Sequence, residues 1–119
     1  MAVSGAVGLP AVLQTDACIH DGFVGFRRLD ERVRPYYLYH VLLSQMANNK
    51  AKGTGAIWSN LTTDYVKNIQ ISVPSLQEQD WILEKISIVF NQKKAAARDQ
   101  AVLDRLFTSL QHRAFQGEL

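Results

Sequence analysis

The chain has 119 residues, 47% of them hydrophobic, which suits one modest domain with a real core and excludes disorder throughout. Its formal net charge is only +2, and no apolar run approaches the ~20 residues needed to cross a bilayer, so a helical membrane span is excluded. The apolar opening MAVSGAVGLPAVLQ lacks a basic lead and is broken by Pro10, so it does not read as a signal peptide. Cys18, the single cysteine, has no internal disulfide partner. It is expected as a small buried apolar residue in a reduced, cytoplasmic compartment.

Charge is unevenly placed. Residues 1–34 hold four acids and four bases, and residues 75–119 hold six of each. The excess lies in 35–74, where Lys50, Lys52 and Lys67 face Asp64 alone. No Asp or Glu occurs from Arg32 to Thr63, and an acid-free stretch carrying Arg32, Arg34, Lys50 and Lys52 suits a polyanionic partner.

In chain order, residues 18–29 read as extended: Phe23, Val24 and Phe26 favour a strand, and Gly22 and Gly25 suggest a bulge. Pro35 fits the first turn of a helix, where its missing N–H costs nothing. Leu38, Val41, Leu42, Gln45 and Met46 follow at helical spacing, and Asn48-Asn49 with Gly53-Thr54-Gly55 end that helix in a loop. Thr62 or Thr63 is suited to cap a short turn reaching Lys67. Ile69, Ile71 and Val73 alternate with Gln70 and Ser72 as a half-buried strand closed by Pro74.

The remainder reads as one helix. Ser75 and Glu78 have capping-box spacing, and Gly117 is a natural stop. Between them a stripe runs Ile82, Ile86, Val89, Lys93, Ala96, Gln100, Leu103, Phe107, Leu110, Ala114, in steps that alternate four and three. That is the 3.5-residue period of a coiled coil. Lys93 and Gln100 interrupt its apolar character at the centre, where polar residues fix register and orientation. A helix of roughly 60 Å at ~1.5 Å per residue needs a partner for its far end. A helical hairpin broken near 92–99 is the competing arrangement, but no Gly or Pro lies there.

The segment GTGAIWSNLTTDYVKNIQISVPSLQEQ, 53–79, resembles the end of a target-recognition domain in the DNA-specificity subunits of type I restriction-modification systems. The resemblance is carried by Gly53, Thr54, Asn60, Leu61, Ile71, Val73, Pro74, Leu76, Glu78 and Gln79. The tail LDRLFTSLQHRAFQGEL, 103–119, is similar to the end of that family's spacer helix. Arg34-Pro35-Tyr36-Tyr37-Leu38-Tyr39 resembles its P-x-Y-L helix start, and Ser4-Gly5-Ala6-Val7-Gly8 its internal G-x-x-G turn. Together these cover about 100 of the 119 residues. The family's domain is usually longer before its helix than the 74 residues found here, so a fragment, a truncated frame or a half-subunit is expected.

The resemblance implies an α+β fold: a partial target-recognition domain over 1–74 and a long coiled-coil-forming spacer helix over 75–119. It implies DNA recognition without catalysis, with methylation and cleavage in partner methyltransferase (M) and restriction (R) subunits. A homodimer through the long helix is expected, burying Ile82, Ile86 and Val89 against Leu103, Phe107 and Leu110. The alternative is a helical oligomerisation module without DNA binding of its own.

The residues themselves agree that catalysis is not expected. His20, His40 and His112 are scattered without metal-type spacing, and Gly53-Thr54-Gly55 lacks the Lys of a phosphate-binding loop. No cofactor or metal is expected. The DNA-contact candidates are Lys50 and Lys52 for phosphates, Thr54 and Ser59 for a base or phosphate, and Asn60 for a base edge. Trp58 either stacks on DNA or belongs to the core beside Ile57. Of Arg27 and Arg28, at most one faces DNA if the segment is extended. Tyr36, Tyr37 and Tyr39 are read as packing and rim residues.

Overall fold

The computed structural model describes residues 1–51 and 61–118, with side chains at 1–46 and 61–118. Its helices are α1 (Pro35–Ala51), α2 (Thr63–Lys67) and α3 (Leu76–Phe115). The chain divides into two compact units, Met1–Leu83 and Glu84–Leu119.

The described residues are mainly helical. They hold no strand, only an isolated antiparallel bridge between Ala2 and Phe23, so the expected strands at 18–29 and 69–73 form no ladder. The hydrogen bonds explain why. Met1–Val3 is bonded on both edges. Its amino group donates to the Val24 carbonyl (2.9 Å), Val24 N–H donates to the Met1 carbonyl and Val3 N–H to the Gly22 carbonyl (both 2.9 Å). On the other edge Ala2 N–H donates to the Leu9 carbonyl, and Gly8 N–H returns to the Ala2 carbonyl. The next rung fails because Gly22 N–H is turned onto His20 Nδ1 (2.9 Å), and the Val3 carbonyl accepts from Leu61 N–H instead (3.0 Å). Beyond Val24, Arg28 adopts φ 54°, which takes the chain out of the β region. In the Ser4–Gly8 segment Gly5 and Gly8 adopt positive φ, 66° and 82°, a region that glycine enters without steric cost.

The 69–73 segment keeps part of its alternation: Ile69 and Ile71 are half-buried and Gln70 and Ser72 exposed, but Val73, expected on the half-buried face, is exposed as well. Two of its carbonyls are satisfied by α1 side chains rather than by a neighbouring strand. Tyr37 Oη donates to the Ser72 carbonyl (2.9 Å), and Gln45 Nε2 to the Gln70 carbonyl (3.2 Å). Buried backbone polar groups need partners of some kind, and a helix flank serves here.

Helix α1 begins at Pro35 as expected, buries Tyr37, Leu38 and Leu42, and keeps Val41, Gln45 and Met46 half-buried. It runs past Asn48-Asn49 to Ala51. Helix α2 is capped by Thr62, whose hydroxyl accepts from Tyr65 N–H (3.1 Å), and buries Val66. Helix α3 opens on the expected capping box. Ser75 N–H donates to Glu78 Oε2 (2.9 Å), and Glu78 N–H donates back to Ser75 Oγ (3.3 Å). It closes in a Schellman motif: Glu118 N–H reaches the Arg113 carbonyl (2.9 Å) and Gly117, at φ 75°, the Ala114 carbonyl (3.3 Å). Within the second unit every residue from 87 to 118 is exposed.

Cys18 departs from its expected burial. It is exposed, as are all residues from 13 to 21, because that segment runs along the surface of its unit.

Candidate nucleic-acid interface

The DNA-contact candidates sit where side chains are not described. Lys50 belongs to the last turn of α1 by its backbone. Lys52, Thr54, Trp58, Ser59 and Asn60 lie outside the described residues. Two neighbours of that stretch are well placed. Leu61 hangs from the Val3 carbonyl, and Thr62 starts α2 immediately after it.

The basic residues upstream fall into two groups. Arg32 is held in a fork by Asp30, with Nε to Oδ1 at 2.9 Å and Nη2 to Oδ2 at 3.0 Å, and its backbone N–H also reaches Oδ1 (2.9 Å). These hydrogen bonds bring the Asp30 carboxyl down to about 2. Arg34 is gripped in the same way by Asp80 of α3, Nε to Oδ1 at 3.0 Å and Nη2 to Oδ2 at 2.9 Å. The acid-free stretch is therefore less positive than its sequence suggests, because carboxylates from outside it pair both arginines. Arg27 and Arg28, by contrast, are exposed and have no ion-pair partner among the described residues.

The packing of the first turn of α3 within the first unit was not legible as a site. Gln79 is fully buried, and three hydrogen bonds account for it. Oε1 accepts from Arg34 N–H (2.9 Å), while Nε2 donates to the Arg32 carbonyl (2.7 Å) and the Pro74 carbonyl (2.9 Å). This bracket fixes the first turn of α3 against the turn that leads into α1. The available signal was the Glu-Gln pair following the capping Ser75, whose Gln points inward when Glu78 serves the cap.

The histidines are surface or core-edge groups. His20 is exposed, stacks edge-on against Phe23 with centroids 4.8 Å apart, and lies 3.4 Å from Asp21 because the backbone turns there. His40 is half-buried, and that burial lowers its pKa. Tyr37 is buried packing; Tyr36 is half exposed and accepts from Gln14 Nε2 (3.1 Å). No group of three or more His, Cys, Asp or Glu positioned for a metal occurs among the described residues.

On α3, Ile82 and Ile86 are half-buried, while Val89, Leu103, Phe107 and Leu110 are exposed. Phe90, Val102, Leu106 and Phe115 add to the exposed apolar surface. Gln100 bonds Asp104 one turn on (2.8 Å). Among the described residues no helix is long and apolar enough to cross a membrane.

A small helical unit in which Gln79 of the first turn of α3 is bonded to the turn before α1, with paired arginines and an open basic turn, has the makings of a binding module. The model of the type I restriction modification DNA specificity domain family matches residues 2–103. The chain belongs to that family, whose domain serves DNA sequence recognition in type I restriction-modification. No curated protein and no solved structure matched the chain.

Proposed function

We propose that the chain is a sequence-specific DNA-recognition and scaffolding module of a type I restriction-modification complex, itself without catalytic activity. The family match over residues 2–103 carries this reading. In it the Lys50–Asn60 loop approaches DNA. Lys50 and Lys52 neutralise phosphates, Thr54 and Ser59 bond a base or phosphate, Asn60 reads a base edge, and Trp58 stacks or supports the loop. The 1–74 portion acts as part of a mixed α/β recognition domain and the 75–119 helix as the spacer. That helix sets distances and docks methyltransferase subunits, through which a restriction subunit is recruited in the cytoplasm. A second copy pairs antiparallel along the stripe, bringing both Lys93–Gln100 centres near the two-fold axis.

The test is duplex binding across a salt series, on the chain alone and assembled with a methyltransferase subunit. Lys50→Ala with Lys52→Ala weakens binding to all duplexes alike and flattens the slope of log K against log salt by about two units. Asn60→Ala shifts base preference at one position by about 1–3 kcal/mol. Wild-type chain with no salt-dependent binding in either state overturns the reading. The exposed apolar surface on α3 then favours the alternative, a helical oligomerisation module, which solution mass measures directly.

A further inference from the structure

We infer that Arg27 and Arg28 form a second phosphate-contacting element on DNA, apart from the Lys50–Asn60 loop; this rests on the DNA-recognition reading above. The first observation is electrostatic. Of the four arginines between 27 and 34, Arg32 and Arg34 are each forked onto a carboxylate and have little capacity left for a phosphate. Arg27 and Arg28 are exposed, and the nearest acids in sequence, Asp30 and Glu31, pair with neither of them. Two guanidiniums with all their donors unengaged by carboxylate are suited to phosphate oxygens, which accept in the same planar fork.

The second observation is conformational. Arg28 has φ 54°, and it is the only non-glycine residue with positive φ among those described. Glycine or asparagine occupies that region with less strain. An arginine held there turns the backbone so that the two adjacent side chains are no longer constrained to opposite faces, as they are in a strand. Non-glycine residues in this region cluster at ligand-binding and switch sites. The third observation is anchorage. The segment leading into the turn is pinned at Gly22 and Val24 by Val3 and Met1, and the Val3 carbonyl also holds Leu61. The turn therefore rises from a fixed backbone junction rather than from a loose surface loop.

The experiment pairs Arg28→Gly with Arg27→Ala, singly and together, in the full chain assembled with a methyltransferase subunit and on the chain alone. The probe is a labelled pool of mixed-sequence duplexes. Arg28→Gly is expected to leave the thermal midpoint unchanged or raise it, since glycine suits the backbone. It is expected to flatten the salt slope by about one unit, and the double variant by about two. Between about 50 and about 200 mM salt, the advantage of wild type over the double variant shrinks about tenfold. Asp30→Asn with Arg32→Gln, which removes one charge of each sign, leaves the slope unchanged. Wild-type salt-dependent binding with the same slope in the Arg27 and Arg28 variants overturns this inference and leaves the DNA-recognition reading standing. No salt-dependent binding by wild type overturns both. A lowered midpoint in Arg28→Gly with an unchanged slope assigns the residue to folding alone and also overturns it.

Discussion

The backbone N–H of Arg34 donates to the side-chain carbonyl of Gln79 across 45 positions of sequence, at 2.9 Å, inside the first unit. The same two neighbourhoods meet again outside, where the Arg34 guanidinium forks onto Asp80. The inner bond is part-buried, on a fully buried Gln79 side chain, and the outer one half-exposed, so they differ in weight. A solvent-exposed ion pair contributes about 0–1 kcal/mol, whereas stripping the partner from buried backbone groups costs about 1–3 kcal/mol.

Gln79→Met is accordingly expected to destabilise the chain by about 1–3 kcal/mol in denaturant unfolding, because volume is kept while three hydrogen bonds are lost. Gln79→Glu is the sharper test. Its carboxylate would face the Arg32 and Pro74 carbonyls that Nε2 now serves. Burial and those carbonyls raise the pKa of the introduced acid in the folded state. Its neutral form, present at low pH, is tolerated, and stability falls as pH rises through the folded value. A Gln79→Glu variant as stable at neutral pH as in mild acid would show that the bracket is open to water.

The helix cap carries the opposite sign. Hydrogen bonds from the Ser75 hydroxyl and then its backbone N–H hold the Glu78 carboxyl below its ordinary value. A depressed folded pKa contributes stability that is present above the unfolded value and lost as pH falls through the folded one. The Asp30 carboxyl, at about 2, gives the same effect in a lower window. Thermal midpoints measured from about pH 6 to about pH 3 should fall more steeply in wild type than in Glu78→Gln. Parallel curves would mean that the cap does not retain its proton-linked advantage in solution.

Gly22 supplies a prediction about coupling. A Cβ built there lies 2.6 Å from His20 Cε1 and 2.9 Å from Ser4 Oγ. The ring can rotate away, but then Nδ1 no longer accepts from Gly22 N–H. Gly22→Ala is expected to cost about 1 kcal/mol, as does His20→Ala, since both remove the same part-buried hydrogen bond. The double variant is expected to cost little more than either alone. Strict additivity in urea unfolding would place the strain at Gly22 in the backbone instead.

Features governed by near neighbours were legible in the sequence. Pro35 at the start of α1, Thr62 capping α2, the Ser75–Glu78 box and the Gly117 stop all depend on chemistry within five positions. Pairings that depend on distant segments were not legible. The alternation of Ile69, Ile71 and Val73 with Gln70 and Ser72 predicted burial correctly for the first two but not for Val73, which is exposed, and the carbonyls went to Tyr37 and Gln45 rather than to a strand. Charge counting saw Arg32 and Arg34 as open because Asp30 and Asp80 stand outside the acid-free window. Cys18 was expected inside because its type is usually buried, but its surface segment decided otherwise.

The apolar stripe on α3 yields the last prediction. Leu103, Phe107 and Leu110 are more than a third exposed, at 58%, 62% and 42%, on a helix whose own unit offers nothing to cover them. A solvated helix gains little from such residues, and most helical stability in proteins comes from packing an apolar face. If two copies pair antiparallel, Leu103→Ala or Phe107→Ala costs about 2–5 kcal/mol, lowers the dimer mass fraction in light scattering, and removes the concentration dependence of the melting midpoint. If the stripe stays in water, the same substitutions change stability by less than about 0.5 kcal/mol and the midpoint never depended on concentration. Wild type that remains monomeric at every practical concentration, with and without a methyltransferase subunit, would remove homodimer formation from the function proposed for this helix. An apolar face covered by a methyltransferase subunit instead gives a mass of unequal partners in the assembled sample, and the alanine variants then weaken that assembly.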